Sequence, residues 1–383
     1  MSSARVRRVA ELGREWVERE GIQAVLLLAA RRGRVVLHEA FGRLTPEPDS
    51  PPLPKDAIFS LVSISKVVTA TALMTLVEEG RVGLNRPVSS YIPEFRGEGK
   101  DAVLVRHLLT HTTGIHEDKA EEYAGQQQGK LGIPPCPETL HPLMNEWLNL
   151  RYGCPLNKPP GAEMSYCDFG FELAGEIVRR ITGMPLDRAI QSRIFQPLGM
   201  SNSFFCRMDA PKDRRAKRPT RPGYVPDAFD LAIEQERCVL ASGTAISTAT
   251  DLAAFGQMFL NRGAYGSARI LSPASVAAMT RNQIPGVPSK FFLEEFPEAS
   301  WGLGWSLHGT KTGSCGALYS AESFEHWGGG GGCYLWVDPV YELIGVYYAA
   351  TPPLTSHTAR VDWAKAWRND LFTDALTASI VDV

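Results

Sequence analysis

Residues 59–80 read FSLVSISKVVTATALMTLVEEG, an apolar run that predicts a buried helix over 63–79. Ser63 and Lys66 stand three residues apart at the start of this helix, so their side chains lie on one face. The unpaired N–H groups and the positive dipole of a helix start stabilise negative charge on a nearby oxygen. Ser63 is therefore a candidate nucleophile, and Lys66 is a candidate acceptor for its proton.

This spacing of serine and lysine has little weight alone. A chain of 383 residues is expected to contain about one such pair by chance. A core helix with an N-capping serine and a surface lysine would give the same letters. Other parts of the sequence must therefore decide between a catalytic pair and a structural helix start.

Apolar runs with strand character occur near both ends of the chain. AVLLLAARRGRVVLHEAFG at 24–42 predicts a hairpin that turns at its central Arg-Arg-Gly, and CYLWVDP at 333–339 and ELIGVYYAA at 342–350 predict two more strands. Amphipathic patterns predict helices over 4–20 and 360–376. We therefore predict an α+β fold, with one antiparallel sheet built from both chain ends and flanked by helices.

The middle of the chain is predicted to be mainly helical. Further helices are predicted over 101–110, 139–150, 168–182 and 251–262. Proline- and glycine-rich stretches predict loops over 116–138, 153–162 and 208–228. We predict a single domain over 1–383, in which residues 1–80 and 240–383 form the sheet region and residues 81–239 form an inserted, mainly helical region.

Composition and charge exclude several classes of protein. The formal net charge is −2, 44% of the residues are hydrophobic and 9% are aromatic, which is typical of a globular domain and excludes disorder and coiled coil. Such a charge gives no general attraction for polyanions, and the basic run Lys212–Arg221 contains prolines and no aromatic residues. We therefore predict neither a nucleic-acid partner nor a membrane partner.

The cysteines and the first residues bear on the compartment. Seven cysteines are an odd number, and none of them has C-x-x-C spacing, which argues against a disulfide framework and a structural zinc site. The start of the chain lacks the unbroken apolar core of a signal peptide, and no apolar run is long enough to span a bilayer. These features predict a cytoplasmic protein.

Six segments after the Ser63 helix resemble one protein family in order and spacing. They are RVGLNRPVSSYIPEF (81–95), VRHLLTHTTGI (105–115), PGAEMSYCDFGFELAGEIVRRITG (160–183), PLGM (197–200), SGTAISTATDLAAFGQMFL (242–260) and WGLGWSL (301–307). The family is the serine β-lactamase and penicillin-binding-protein superfamily, in the branch of class C β-lactamases, family VIII carboxylesterases and related acyltransferases. The resemblance implies a β-lactamase/transpeptidase-like fold, and it implies Ser63, Lys66 and Tyr166 as catalytic residues.

The family's third motif, K-T-G on a strand beside the site, has two candidates. Lys311–Gly313 is a literal match, but it lies too far before the Asp338-Pro339 pair that follows this motif in the family. Trp327–Gly329 has the expected spacing, so we assign the motif to it. Tryptophan at this position resembles the esterases and acyltransferases, whereas lactam-binding members usually keep a cation there for the substrate carboxylate. The sequence therefore points away from β-lactams.

The glycines after the tryptophan predict how the substrate is held. Small residues let a strand approach the substrate closely, and the N–H of Gly330 is predicted to pair with that of Ser63 as the oxyanion hole. Trp327, Gly328 and Gly329 are predicted substrate contacts, with His326 at the rim as a candidate pH switch. The alternative is a flexible glycine loop before a strand.

Aromatic residues near these motifs have two interpretations. Trp301, Trp305 and Trp327, together with Phe291 and Phe292, could form the wall of an apolar acyl pocket. Packing in the core is the commoner use of such residues.

Asp168 stands where the family's Y-x-N motif has asparagine. An anion at this position would keep Lys66 in its ammonium form. Lys66 would then orient Tyr166, and the tyrosinate would take the proton of Ser63. The asparagine contacts the substrate amide in lactam-binding members, so Asp168 is a predicted substrate contact that argues against amide substrates.

Other chemical motifs are weaker. His107 and His111 in HLLTH have the spacing of a zinc-protease helix, but the general-base glutamate is missing. Gly328–Gly332 lacks the Gly-Lys-Ser/Thr of a phosphate loop, and Cys167 has no matched histidine and asparagine. We predict no metal and no cofactor.

With the resemblance, these features predict a serine esterase that hydrolyses carboxylic esters through an acyl-Ser63 intermediate, with a small-molecule ester or acyl compound as partner. Three alternatives stay open. They are an acyltransferase or transesterase with the same acyl-enzyme, a D-amino-acid amidase or peptidase, and a non-catalytic binding module. The sequence predicts neither the natural substrate nor the oligomeric state.

Overall fold

The computed structural model describes residues 1–220, 223–291, 294–309, 315–329, 332–352 and 368–382. Its main sheet consists of β1 (Ala24–Arg31), β2 (Arg34–Gly42), β10 (Ser306–Leu307), β11 (Phe324–Gly328), β12 (Cys333–Asp338) and β13 (Leu343–Ala349). These six strands are antiparallel and lie in the order β10-β11-β12-β13-β1-β2. The prediction of one antiparallel sheet built from both chain ends is confirmed.

The hairpin of β1 and β2 turns on Arg32 and Gly33, whose φ angles are 50° and 72°. Arg31 and Arg34 face each other across the hairpin. The turn therefore has two residues with positive φ, the geometry whose twist matches that of the flanking strands. Arg-Arg-Gly is the turn that the sequence predicts.

Helices cover both faces of the sheet. α1 (Ser3–Glu18) and α11 (Asn369–Thr377) pack on one face, and α9 (Ala249–Leu260) packs on the other. Alternate residues of β1 belong to the two separate cores, and every residue of β1 is buried. This explains why its sequence is apolar from Ala24 to Ala30 rather than alternating. The terminal helix predicted over 360–376 is described from residue 368 onward.

Gly345 of β13 lies against the indole ring of Trp336 on β12. A Cβ at this glycine would come within 1.9 Å of Trp336 Cζ3, and the Trp336 side chain is itself fully buried. We expect Gly345→Ala to lower the free energy of unfolding by about 1–3 kcal/mol, measured by chemical denaturation. Gly125→Ala is the control, because exposed Gly125 has no neighbour within 4 Å. A loss of stability in the control as large as in Gly345→Ala would contradict this explanation.

α2 (Ser65–Glu78), in which all residues from Ser65 to Leu76 are buried, is followed along the chain by the remaining helices. They are α3 (Val105–Leu109), α4 (Glu117–Gln127), α5 (Pro142–Tyr152), α6 (Asp168–Thr182), α7 (Leu186–Ile190), α8 (Ala228–Gln235) and α10 (Pro273–Met279). Short strands are β3 (Phe59–Ser60), β4 (Met164–Ser165), β5 (Ile246–Ser247), β6 (Ala264–Tyr265), β7 (Ala268–Arg269), β8 (Ser289–Phe291) and β9 (Glu294–Phe296). No helix in the described part of the chain has the length and apolar character needed to cross a bilayer.

Four of the described helices escaped prediction, namely α4, α7, α8 and α10. α4 lies inside the stretch predicted as a loop over 116–138, and it buries only Ala120 and Ala124. Two alanines give almost no hydrophobic period, so the pattern is hidden among charged residues. α8 has eight residues and begins where the predicted loop 208–228 ends, and the Asp227 side chain caps its start.

Candidate active site

Ser63 lies in a tight turn directly before α2. Val62 has a φ of 43°, a conformation that costs a β-branched residue about 1–3 kcal/mol. The sheet supports this turn, because Cys333 Sγ lies 3.2 Å from Leu61 O and a Cβ on Gly328 would come within 2.6 Å of the same oxygen. The space at Gly328, which we predicted for substrate, is therefore filled by the protein itself.

Lys66 is buried in the first turn of α2, and its side chain is 1% exposed. Its Nζ donates to Ser63 Oγ at 2.9 Å and to Ser242 O at 3.1 Å, and it forms an ion pair with Asp168 Oδ1 at 2.7 Å. Two hydrogen-bond acceptors and one carboxylate therefore lie against the ammonium group. Lys66 therefore donates a hydrogen bond to Ser63 in this arrangement.

The charge of Lys66 depends on Asp168. Burial alone would lower the pKa of Lys66, but the Asp168 carboxylate and Tyr166 outweigh burial and raise that pKa above its ordinary value. The ammonium form predicted from Asp168 agrees with this direction. Lys66 must lose a proton before it can act as a base.

Tyr166 lies between β4 and α6, half-buried, with its ring centroid 4.9 Å from Lys66 Nζ. Burial raises the pKa of Tyr166, and the charge of Lys66 and hydrogen bonds with Ser63 and Lys66 lower it by less. The phenol therefore keeps its proton. This differs from the predicted tyrosinate, because burial outweighs the neighbouring ammonium group.

His111 supports the segment that carries Tyr166. Its carbonyl accepts from Ser165 N at 2.9 Å, and its Nδ1 accepts from Cys167 N at 3.0 Å. The imidazole also stacks on the Tyr166 ring, with 4.3 Å between the centroids. Burial and the nearby Lys66 hold the pKa of His111 well below its ordinary value, which keeps Nδ1 an acceptor.

Of the two predicted oxyanion donors, Ser63 lies within the described residues and Gly330 does not. The Ser63 N–H has no carbonyl acceptor within the described ranges, so it is available to an oxyanion. Gly330 and Lys311–Gly313 lie outside the described residues, as do Phe292 and the side chain of Phe291.

The position of His326 on β11 differs from the predicted one. We predicted a rim position, but His326 is 0% exposed because β11 lies between β10 and β12 in the sheet. Burial and the charge of Lys66 lower its pKa to about 3, so it stays neutral near pH 7 and cannot serve as the pH switch. Trp327, Trp301 and Trp305 are also buried in the core, whereas Gly329 is half-buried.

A family model for beta-lactamases matches residues 8–366, nearly the whole chain. The chain belongs to the beta-lactamase family. This finding confirms the resemblance that the six segments predict, and it agrees with the α+β fold. Its family and relatives are of the serine hydrolase type.

Relatives and solved structures cover this beta-lactamase-family protein almost completely. A Salmonella agona protein with the provisional name D-alanyl-D-alanine carboxypeptidase is 27% identical over 375 residues, covering 88% of this chain and 81% of that protein. Simvastatin synthase (LovD) of Aspergillus terreus is 21% identical, with a TM-score of 0.76 and 99% of each chain covered. The hydrolase EstCE1 is 20% identical, with a TM-score of 0.72 over 98% of this chain and 97% of its own. At these identities the two structures show a shared fold.

The beta-lactamase-family protein holds its candidate site with residues that the sequence analysis did not single out. Ser242 O accepts from Lys66, and the Glu172 carboxylate accepts the N–H groups of Ala241 and Ser242. Glu117 accepts from Phe169 N at 3.0 Å at the start of α6. The only signal for Glu172 and Ser242 is that both lie inside the quoted family segments.

Within the described residues, one cluster has the spacing of metal ligands, namely Asp187, Cys206 and Asp209. Arg237 donates to Asp187 at 2.6 Å and to Asp209 at 2.5 Å, and Arg188 pairs with the same two carboxylates at 3.5 Å and 3.6 Å, so two guanidinium groups already balance both charges. His107 Nδ1 accepts from Leu104 N at 3.1 Å at the start of α3, which gives this histidine a structural role.

Proposed function

We propose that this protein is a serine esterase that hydrolyses carboxylic esters through an acyl-Ser63 intermediate. The observation that carries the proposal is that β11, which packs against the Ser63 turn, has no cation. It contains the buried Trp327 and the neutral His326 instead. A substrate with a carboxylate beside the scissile bond is held best by a cation at such a strand. Esters without that carboxylate fit this strand better.

The reaction requires a base for the proton of Ser63. Lys66 becomes that base after its ammonium group has lost a proton, and the neutral amine then accepts the Ser63 proton over 2.9 Å. The serine oxygen attacks the ester carbonyl, and the Ser63 N–H stabilises the oxyanion. Tyr166 gives its phenolic proton to the departing alkoxide and regains one from Lys66. Water then hydrolyses the acyl-enzyme.

Two other reactions use the same acyl-enzyme. LovD is described as a simvastatin synthase, and EstCE1 as a hydrolase with promiscuous acyltransferase activity, so transfer of the acyl group to an alcohol is the second candidate. The name of the Salmonella agona relative suggests D-alanyl-D-alanine carboxypeptidase activity. That substrate ends in a carboxylate, which β11 does not favour.

The test is hydrolysis of p-nitrophenyl acetate, butyrate and octanoate beside nitrocefin and a peptide that ends in D-Ala-D-Ala, with intact mass measured during turnover. We expect ester cleavage with an acyl adduct on Ser63 and little turnover of the other two substrates. Faster cleavage of the peptide or of nitrocefin would overturn the esterase proposal. An adduct that only alcohols resolve would establish the transferase, and the absence of any adduct would favour a binding module.

Asp168→Asn is expected to change the pH profile of ester hydrolysis. Without the carboxylate, burial lowers the pKa of Lys66, and the neutral amine becomes the base directly. The rate of the variant then falls as the pH drops through this lowered pKa, because protonated Lys66 cannot accept the Ser63 proton. We expect the ratio of kcat/KM at acidic pH to that at alkaline pH to fall about tenfold relative to wild type. An unchanged ratio would contradict the role given to Asp168.

A further inference from the structure

Glu172 is a buried carboxylate near the start of α6, only 4% exposed. Its Oε2 accepts the N–H of Ala241 and its Oε1 accepts the N–H of Ser242, both at 2.9 Å. In the described part of the chain, no lysine or arginine forms an ion pair with it. A buried carboxylate without a cation requires an explanation, because burying an unpaired charge is unfavourable.

Ala241 and Ser242, here called the bridge, also hold α2. Ala241 O accepts from Thr69 Oγ1 at 2.7 Å, and Ser242 O accepts from Lys66 Nζ at 3.1 Å. The N–H groups of the bridge therefore donate to Glu172, and its carbonyl groups accept from side chains of α2. Ser242 N–H and Ala241 O belong to one planar peptide unit, so the bond of this N–H to Glu172 restrains the direction of Ala241 O. Ser242 O lies on the next peptide unit, which is joined to the restrained unit at the Cα of Ser242.

The close packing of α6 against the bridge depends on a glycine. A Cβ at Gly175 would come within 2.4 Å of Ala241 Cβ, so no larger residue fits without a shift. Gly175 lies three residues after Glu172, on the same side of the helix. The short contact keeps the bridge within hydrogen-bonding distance of the carboxylate.

We propose that Glu172 is a positioning residue: by accepting both N–H groups of the bridge, its carboxylate keeps Ser242 O directed at the Nζ of Lys66. The inference rests on the proposed function, because Lys66 matters here as the base for Ser63. A carboxylate can accept both bonds, whereas an amide presents a donor to one N–H and loses that bond, and a carboxylic acid keeps only a weaker acceptor at its hydroxyl oxygen. The hydrogen bonds that hold the bridge therefore depend on the charge of Glu172.

That charge changes near neutral pH. Burial raises the pKa of Glu172 to about 7, its hydrogen bonds with Ser242 and Ala241 lower it by less, and Asp168 adds to the rise. Below about pH 7 the side chain takes up a proton, and its hydrogen bonds with the bridge weaken. Above about pH 7 the carboxylate accepts both N–H groups of the bridge. A cavity of about 250 Å³ lined by Glu172 gives protons a route to it.

Other titratable or charged groups lie on the elements packed around α6. They are Lys66 on α2, His107 on α3, Glu117 on α4, Glu138 and His141 before α5, Asp187 on α7, Glu236, Arg237 and Cys238 before the bridge, and Asp168, Glu176 and Arg179 on α6 itself. Burial lowers the pKa of His107 to about 4 and raises that of Cys238 to about 12, so neither changes charge near pH 7.

Replacement of Glu172 is expected to act on turnover more than on binding. At alkaline pH we expect Glu172→Gln to lower kcat about 10- to 100-fold, because small misplacements of a catalytic group have effects of this size. KM should change less than about threefold, since Glu172 lies behind Lys66 and away from the substrate. In wild type, kcat should fall as the pH drops through about 7, and this fall should be absent from the variant.

The experiment measures kcat and KM for p-nitrophenyl butyrate, and the rate of Ser63 labelling by a fluorophosphonate, between about pH 5 and pH 9. Glu172→Asp keeps a carboxyl group whose ordinary pKa is lower by about 0.4. The fall in kcat at acidic pH, here called the acid fall, should therefore persist in this variant and move to lower pH. Asp251→Asn is the control. Asp251 is a buried carboxylate with a pKa raised by burial, and it accepts from Asn202 N at 2.8 Å without contacting the bridge.

The outcomes separate this inference from the proposed function. If esters are turned over at Ser63 but Glu172→Gln keeps the acid fall and the rate of wild type, the inference is overturned and the esterase stands. If no ester is turned over but labelling of Ser63 shows the Glu172-dependent fall, the inference stands and the esterase fails. If Glu172→Gln does not fold, an acid fall that does not move in Glu172→Asp overturns the inference.

Discussion

Ser63→Ala is expected to abolish ester hydrolysis, with a fall in kcat/KM of about 10⁴-fold or more. In the proposed mechanism the hydroxyl oxygen of Ser63 forms the bond to the acyl group. No described side chain at the site is suited to replace it: Lys66 is an ammonium group, and burial raises the pKa of the Cys167 thiol well above its ordinary value. Intact mass during turnover should show an acyl adduct on wild type and none on the variant.

The stability of this variant separates a nucleophile from a structural cap. Ser63 accepts from Lys66 and lies half-buried in its turn, so its loss should change the free energy of unfolding by less than about 1 kcal/mol. Ser272→Ala is the matched control, because Ser272 Oγ caps the start of α10 by accepting from Ser275 N at 3.2 Å. It should lose about 1 kcal/mol of stability and keep full activity. A Ser63→Ala protein that fails to fold would identify Ser63 as structural.

Lys66→Met is expected to lower kcat/KM for p-nitrophenyl butyrate about 10²- to 10⁴-fold, the range typical of removing a general base. Methionine fills much of the same buried volume, and it leaves Asp168 49% exposed rather than stranded without water. The fold should therefore survive, which circular dichroism and thermal unfolding can verify. Fluorophosphonate labelling of Ser63 should slow in parallel with hydrolysis.

The chain offers a second buried lysine as control. Lys100 is 1% exposed, its Nζ donates to Tyr152 O, and the ammonium lies 4.6 Å from the ring centroid of Phe95. Lys100→Met removes an equally buried charge away from Ser63 and should leave kcat/KM unchanged. Similar losses of activity in both lysine variants would show that burial of charge, rather than proton transfer, explains the effect at Lys66.

The sheet could be predicted because its strands carry their own signals. β1 and β13 are unbroken apolar runs, and the turn residues between β1 and β2 include a glycine at positive φ. α6 has the same bounds as predicted, since its apolar positions recur along one face. α4 could not be predicted, because a helix that buries only two alanines has no detectable period.

The candidate site also has features that could be predicted from the sequence and features that could not. Ser63, Lys66 and Tyr166 could be proposed from motifs, and the structure brings them together, although their catalytic roles stay predictions. The hydrogen bond from Lys66 to Ser242 O could not be predicted, since residues 176 positions apart meet only in the folded chain. His326 was placed at the rim because its neighbours in sequence suggested a site, whereas its exposure depends on which strands flank β11.

The support of the Ser63 turn by the sheet has a consequence for synthesis of the chain. Ser63, Lys66 and Tyr166 leave the ribosome well before β12, yet Leu61, two residues before Ser63, contacts Cys333 on that strand, 272 residues further along. β1 likewise pairs with β13, and Arg31 bonds to Tyr341 O across 310 residues. A nascent chain therefore carries all three residues without the turn that shapes them. The proposed activity therefore requires that the last strands have been made and have docked.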